Sequence, residues 1–450
     1  MGIKDINELS KRFNTHDINT IYFKHLSPKQ DNDKNQIYLG GGLDGITNLF
    51  PTEIFKRSPS ISRKKRHSES GKPKLEARLD LEWMGKGNDL FPAPNTRIID
   101  YFQYPEIRLS GFLRGCSSPP DSLRRRNQSK YGKRILALGI TSERKVVGLV
   151  LTQFDDPIVS NFPDLPELPS ARILKVFISH GEFNETPFDL LKKELTKIIT
   201  DGWHKSVILK KDNNSPVPFK GNQGGGYTLE ALLGVNANAQ KGPDKYGYEI
   251  KSYGGQRISL MTPVPDLGYQ GEHPFRTFMD KFGTAGVKGD GSIRFTGTHR
   301  CGHTNEKTGL RLIVNGYDCN SDGFDDGKEI AVLLINQLTE EIALGWSISH
   351  LANSWNKKHS AAIYIKSEKR SVESDDHDHE YRYQSNVLVG EGTDIWKLLR
   401  GIALGYVFYD PADSIYSNGT AKVRPQWRIN SSKLADVMKH LYKEVREVTL

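Results

Sequence analysis

Cysteine is scarce in this chain. Cys116, Cys301 and Cys319 stand far apart among 450 residues. That excludes a disulfide framework and points to a reducing compartment, with the cytoplasm as the expected location. Long apolar runs are missing as well. No stretch approaches the ~20 residues needed to cross a bilayer, so neither a spanning helix nor a membrane partner is expected. The opening MGIKDINELSKRF is charged and does not read as a secretory signal. No aromatic motif of the RNP type occurs, which weighs against an RNA partner. Acidic side chains are in deficit: 54 Asp and Glu face 63 Lys and Arg, a net charge of +9. The excess is modest, and it suits a polyanion, nucleic acid before membrane.

What is present divides the chain. Its 450 residues exceed one typical core, so two domains are expected. Residues 1–16 space Ile3, Ile6, Leu9 and Phe13 along one face of a short helix. Short β-like runs follow between turn residues: Thr20–Phe23, Gln36–Leu39, Leu79–Trp83, Ile107–Phe112, Arg134–Gly139 and Val146–Thr152. They predict a β-barrel or sandwich over 1–160. The basic, Ser-rich insertion at 55–75 has no apolar face and reads as a solvated loop or an arm on DNA phosphates. A Pro-rich stretch, Asp155 to Arg172, marks a border, with 161–180 expected as linker. Thr186–Thr200 has helical period and opens a second domain, 181–450. Strands there (Arg257–Met261, Leu310–Asn315, Ile330–Leu334, Ala361–Lys366) mix with helices (Leu398–Tyr406, Ser432–Glu447). An α/β core with a mixed sheet is expected, and the whole chain is α+β and multidomain.

The chemistry concentrates in one stretch, GGGYTLEALLGVNANAQKGPDKYGYEIKSY, from Gly224 to Tyr253. Tyr248 to Tyr253 reads as a strand entered through a turn, which puts Glu249 and Lys251 on one face and Tyr248, Ile250 and Ser252 on the other. Asp244 stands at the strand's entry. Thr228 to Leu233 predicts a helix after a Gly-rich loop and brings in Glu230. Two close carboxylates suit a hard divalent cation such as Mg²⁺, and an adjacent lysine orients water or stabilises developing negative charge. That is the equipment of a phosphodiester-cutting site. An ordinary solvated strand of alternating charge carries the same letters, so spacing alone leaves both readings open.

The whole run resembles the signature of the MvaI/BcnI restriction endonucleases, relatives of the MutH nicking nuclease with the PD-(D/E)XK fold. The family's Gly-rich opening and Tyr-Thr-Leu-Glu stand at Gly224 to Glu230, and its carboxylates and Glu-x-Lys pair fall on Asp244, Glu249 and Lys251. Gly202-Trp203 and the lead-in from Pro216 to Gly221 are similar as well, and the likeness runs from about residue 180 onward. It implies a Mg²⁺-dependent type II nuclease acting on double-stranded DNA as a monomer at a short target such as CCWGG or CCSGG. Asp244, Glu249 and Glu230 would hold the metal, and Lys251 would position the attacking water. The late segment Gly419 to Ile429 resembles the family's site-reading strand. Lys422, Arg424, Gln426 and Arg428 alternate there on one face, with Val423 and Trp427 on the other; an edge strand with a basic face is the plainer reading.

A fainter resemblance covers residues 20–155, to the B3-like DNA-binding pseudobarrel found in EcoRII-type enzymes. It implies two arms on DNA, one from Lys24, His25, Lys29, Gln30 and Asn32, the other from Arg97, Gln103, Tyr104, Glu106 and Arg108. These side chains match base edges: Arg and Lys for guanine, Asn and Gln for adenine, Glu for cytosine. Such a fusion implies a type IIE-like enzyme with a second DNA copy as effector. A MutH-like strand-nicking repair enzyme and a non-catalytic DNA-binding regulator remain as alternatives. Two other clusters read as structural. Asp318, Asn320, Asp322 and Glu329 follow EF-hand spacing, but their flanks are strand-like, so a polar hairpin turn is expected. His299, Cys301 and His303 lack the second half of a zinc pattern.

Overall fold

A computed structural model describes residues 2–26, 35–40, 43–47, 49–57, 75–101, 106–168, 171–179, 185–210, 215–221, 223–237, 243–286, 289–325, 327–356, 358–373 and 377–450. Two compact units emerge. One is Met1–Arg57 with Lys74–Lys197 and Gly242–Gly247; the other is Ser58–Pro73 with Ile198–Lys241 and Tyr248–Leu450. Most of the basic insertion expected as an arm, residues 58–74, lies outside the described residues.

The first unit is β-rich. Its opening helix, Ile6–Asn14, starts where the Asp5 side chain accepts from Glu8 N, and it buries Ile6, Leu9 and Phe13 as the apolar spacing predicts. Among the described residues there is a seven-stranded sheet in the order Glu167–Leu168, Ala171–Ile178, Thr20–Leu26, Arg134–Ile140, Val146–Thr152, Leu81–Met84, Leu90–Pro92. A five-stranded antiparallel sheet runs Gln36–Gly40, Glu106–Ser110, Arg97–Tyr101, Leu75–Leu79, Thr52–Lys56. Two expectations need correction. Leu79–Trp83 is not one strand: the chain leaves one sheet at Leu79 and enters the other at Leu81, with Asp80 O accepting Val146 N at the crossing. The expected linker is also partly sheet. Prolines crowd the start of that stretch, but Ala171–Ile178 buries Leu174, Val176 and Ile178 and pairs with Thr20–Phe23.

In the second unit, Glu249–Tyr253 lies parallel to Ala361–Ser371, which pairs antiparallel with His379–Glu391. His204–Lys205 and Glu444–Thr449 add to the far side of His379–Glu391, giving the mixed sheet expected. The last of these strands was predicted as the end of a helix over Ser432–Glu447. The helix stops at Leu441, where Tyr442 turns extended, and Glu-Val-Arg-Glu-Val-Thr then runs as a strand. A three-stranded sheet, Arg257–Met261, Trp427–Asn430 and Phe408–Tyr409, rests on fully buried aromatics. Trp346 packs edge-on to Trp427 at 4.9 Å and to Tyr409 at 4.8 Å. No helix among the described residues is long and apolar enough to cross a membrane.

Candidate active site

Three consecutive glycines do more than form a loop. They are the first turn of a helix, Gly224–Leu232, which corrects the expected start at Thr228. A Cβ on Gly224 would lie 2.7 Å from Ser206 Oγ and from the Tyr381 hydroxyl, and one on Gly225 would lie 3.1 Å from Ser367 Oγ. Only hydrogen allows so close an approach to the sheet. The Tyr383 hydroxyl locks it by donating to Gly225 O at 2.8 Å. Glu230, two turns on, then lines a cleft of about 1110 Å³ beside Lys251 and Ser252.

Lys251, which lines this cleft, is paired with a buried carboxylate, Glu249. Glu249 is 2 % exposed. Its Oε1 accepts from Lys251 Nζ at 2.6 Å, and Lys358 Nζ lies 3.8 Å away. Its Oε2 is buried with no hydrogen-bond partner among the described residues. Burial pushes the Glu249 carboxyl up, yet the neighbouring lysines outweigh burial and hold it below the usual range. His359 adds no charge there: burial, reinforced by Lys251, lowers it to about 3, so it is neutral. It stacks on Trp355 at 4.1 Å, with Nε2 2.9 Å from Leu260 O. Glu249 is therefore an anion held by two lysines, with one oxygen left over.

The same cleft is lined by Arg257, Arg424, Gln426 and Arg428. Arg428 donates through Nε to Ser259 Oγ at 3.2 Å and through Nη1 to Asp410 Oδ2 at 2.9 Å. The Arg424 N–H donates to the buried Asp413 carboxylate. Trp203 lines the cleft too, with the guanidinium carbons of Arg370 and Arg382 at 4.4 and 5.1 Å from its ring centre.

Residues 192–438, more than half the chain, match the model of the MvaI/BcnI restriction endonuclease family. The chain belongs to that family. It is thus a DNA nuclease of the restriction endonuclease class. Two solved structures match part of the chain. One is the MvaI–cognate DNA substrate complex, 20% identical over 58% of this chain and 98% of that one, with a TM-score of 0.45. The other is MvaI in the absence of DNA, 18% identical over 58% of this chain and 100% of that one, at 0.31. No curated protein matches the chain.

In this MvaI/BcnI-family chain the expected site residues are only partly gathered. Glu230, Lys251, Arg424, Gln426 and Arg428 line the cleft, and Glu249 is bonded to Lys251. Asp244 occupies a bend in the short segment that groups with the first unit. That bend is fastened there by Lys245 and Tyr246, at 2.9 and 2.6 Å from Glu194. Lys422 does not share a face with the other three. Pro425 lacks an N–H, so Gly419–Ile429 is not one strand: Ala421–Lys422 pairs in one sheet and Trp427–Asn430 in another. Val423 is accordingly exposed while Trp427 is buried.

In the first unit, Lys24 and His25 line a cavity of about 180 Å³ with Gln128 and Arg134. Arg97 pairs with Glu76 at 3.7 Å, and Arg108 donates to Gln36 at 3.0 Å. Glu106 opens a strand, though its side chain is outside the described residues, as are Lys29, Gln30, Asn32, Gln103 and Tyr104.

Three members of the site escaped the sequence reading. Lys358, Arg257 and Asp410 come from loops and strands distant in the chain, and no local spacing marks them. The EF-hand-like loop is a hairpin whose carboxylates are engaged locally: Asp318 accepts from Asn320 N and Ser321 Oγ, and Asp322 accepts from the Tyr317 hydroxyl. Among the described residues no three His, Cys, Asp or Glu side chains cluster as a metal site. Mg²⁺ needs fewer. It keeps several waters and takes one or two carboxylates, so the leftover Glu249 oxygen and Glu230 on the cleft wall fit a hard cation.

Proposed function

We propose that the chain is a type II, site-specific, Mg²⁺-dependent endonuclease of double-stranded DNA that acts as a cytoplasmic monomer. The observation that carries this reading is the buried Glu249–Lys251 pair at 2.6 Å, whose lysine lines the same cleft as Arg257, Arg424, Gln426 and Arg428. Glu249 and Glu230, with Asp244 from the family pattern, would hold the cation. When bound, it supplies positive charge at the scissile phosphate. Lys251 would orient the attacking water and stabilise the charge that develops as water attacks phosphorus. The P–O3′ bond breaks, leaving a 5′-phosphate and a 3′-hydroxyl. Arg424, Gln426 and Arg428 offer donors suited to guanine and adenine edges, in keeping with a short target such as CCWGG or CCSGG.

The first unit would bind a second copy of the target, in the manner of a B3-like effector domain, and raise local concentration or activate cutting. Lys24, His25, Arg97 and Arg108 are its described candidates, with Lys29, Gln30, Asn32, Gln103, Tyr104 and Glu106 alongside.

The test is cleavage of plasmids carrying one or two CCWGG or CCSGG sites, in Mg²⁺ or EDTA, by wild type and by Asp244→Ala. Cutting that requires Mg²⁺ and is lost in the variant is expected, faster with two sites. Tight binding with no cleavage at any site would leave a DNA-binding regulator. Persistent single-strand nicks would favour a MutH-like nickase.

A further inference from the structure

We infer that Asp410 is a positioning residue that sets which bases the cleft accepts, by holding Arg257 and Arg428 as one rigid pair. The inference rests on the reading of the cleft as a duplex-DNA site. Asp410 follows the strand Phe408–Tyr409 and is 7 % exposed. Its own N–H donates to Gln426 O at 2.8 Å, which fastens it to the segment that also bears Arg424 and Arg428. Its Oδ2 accepts from Arg257 Nη1 at 2.7 Å and from Arg428 Nη1 at 2.9 Å. Its Oδ1 accepts from Thr298 Oγ1 at 3.0 Å.

Two guanidinium groups on one oxygen have one spacing. Without the shared anion their like charges would drive them apart, and a third cation, Arg300, lies close by with its guanidinium carbon 4.1 Å from the Phe408 ring centre. Each arginine of the pair commits Nη1 to Asp410. The Nη2 groups make no hydrogen bond among the described residues, and both side chains line the cleft. Guanine offers O6 and N7 to such donors. A fixed pair therefore suits guanines at one separation, where two loose arginines would tolerate several. Asp410 has both oxygens engaged, so it acts through the arginines and reads no base itself.

The probe is a pool of duplexes randomised over the target, selected for binding in EDTA by wild type, Asp410→Asn and Arg257→Lys. Selection in EDTA needs no cleavage, so failure of the nuclease reading shows separately, as a wild type that selects a motif and cuts nothing in Mg²⁺. Asp410→Asn is expected to lose about tenfold or more of its preference at guanine positions, the worth of one bidentate pairing. Its affinity for a duplex without the target should hold or rise, because one negative charge is gone. Arg257→Lys keeps the charge but loses the fork, and should relax the same positions even if Asp410→Asn does not fold. A purely structural role predicts equal weakening on every duplex with the preference intact. That result, or a wild type with no base preference at all, overturns the inference.

Discussion

Lys358 shares Glu249 with Lys251. Its Nζ lies 3.8 Å from the same Oε1 that Lys251 holds at 2.6 Å, and its side chain is 34 % exposed against 17 % for Lys251. The nearer, drier lysine carries the main bond, while the farther one acts through its field. Replacing Lys251 by Met is expected to cost about 10²-fold or more in kcat, as for removal of a water-orienting or charge-stabilising group. Lys358→Met should cost less and act mainly on pH dependence. The Glu249 carboxyl is held low by both lysines, so losing one raises it. Activity that requires the carboxylate would then fail at a higher pH on the acid side. A kcat–pH profile of Lys358→Met with an unmoved acid limb would sink this account. The sign for stability is the same: the contribution of ionised Glu249 is present above the unfolded carboxyl range and disappears as pH falls through the depressed folded value.

The three glycines that open the helix before Glu230 should differ sharply on substitution. Gly224→Ala forces a Cβ to 2.7 Å from Ser206 Oγ and the Tyr381 hydroxyl, so the helix must shift. A cost of about 1–3 kcal/mol is expected, with activity falling because Glu230 moves too. Among the described residues, nothing lies within 4 Å of where a Cβ on Gly226 would stand. Gly226→Ala should leave stability unchanged or raise it by about 0.4–1 kcal/mol through the unfolded chain. Urea midpoints of the two variants test the contrast, and equal midpoints would refute it.

Much of the site was legible because it is local. The alternation from Glu249 to Lys251 and the turn ahead of it specify a strand, and the pair indeed bonds on one face. The start of the helix was not legible, since glycine has low helix propensity, and what overrides that is packing against Tyr381 and Tyr383, far along the chain. The same limit hid Lys358 and the arginine pair on Asp410. Apolar period also misled at the C-terminal end. Val445 and Val448 continue the helical spacing of Leu434–Leu441, yet Glu444–Thr449 is a strand paired with His379–Glu391, where the two valines fall on opposite faces. In the first unit the strands were legible one by one, whereas the switch of sheet at Asp80 depends on which neighbours the chain finds.

Trp203 should matter for DNA affinity more than for chemistry. Arg370 and Arg382 rest near its ring and pair with Glu380 and Glu368, each at 2.5 Å, so the indole holds two cations at the cleft's edge. Trp203→Ala is expected to raise KM several-fold and leave kcat within about twofold, the pattern of weakened uniform binding. It should also flatten the dependence of affinity on salt, since every phosphate that the protein ceases to neutralise lowers that slope by about one. A fall in kcat with KM unchanged would place Trp203 in the reacting geometry instead.

Asp413 carries an opposite pH dependence. It is fully buried, its Oδ1 accepts from Arg424 N, and its Oδ2 has no hydrogen-bond partner among the described residues. Burial raises its carboxyl to about 6, against an unfolded value of about 3.9. A raised folded value means stability that is full below the unfolded value and lost as pH rises through about 6. Two units correspond to about 3 kcal/mol as an upper bound. Asp413→Asn keeps an acceptor for Arg424 N and removes the buried charge. The variant is expected to exceed wild type in stability at pH 8 by about 1–3 kcal/mol and to be nearly equal to it at pH 4.5. Guanidinium unfolding at the two pH values reads this directly. A variant less stable than wild type at pH 8 would mean that the charged hydrogen bond to Arg424 N outweighs the desolvation of the carboxylate.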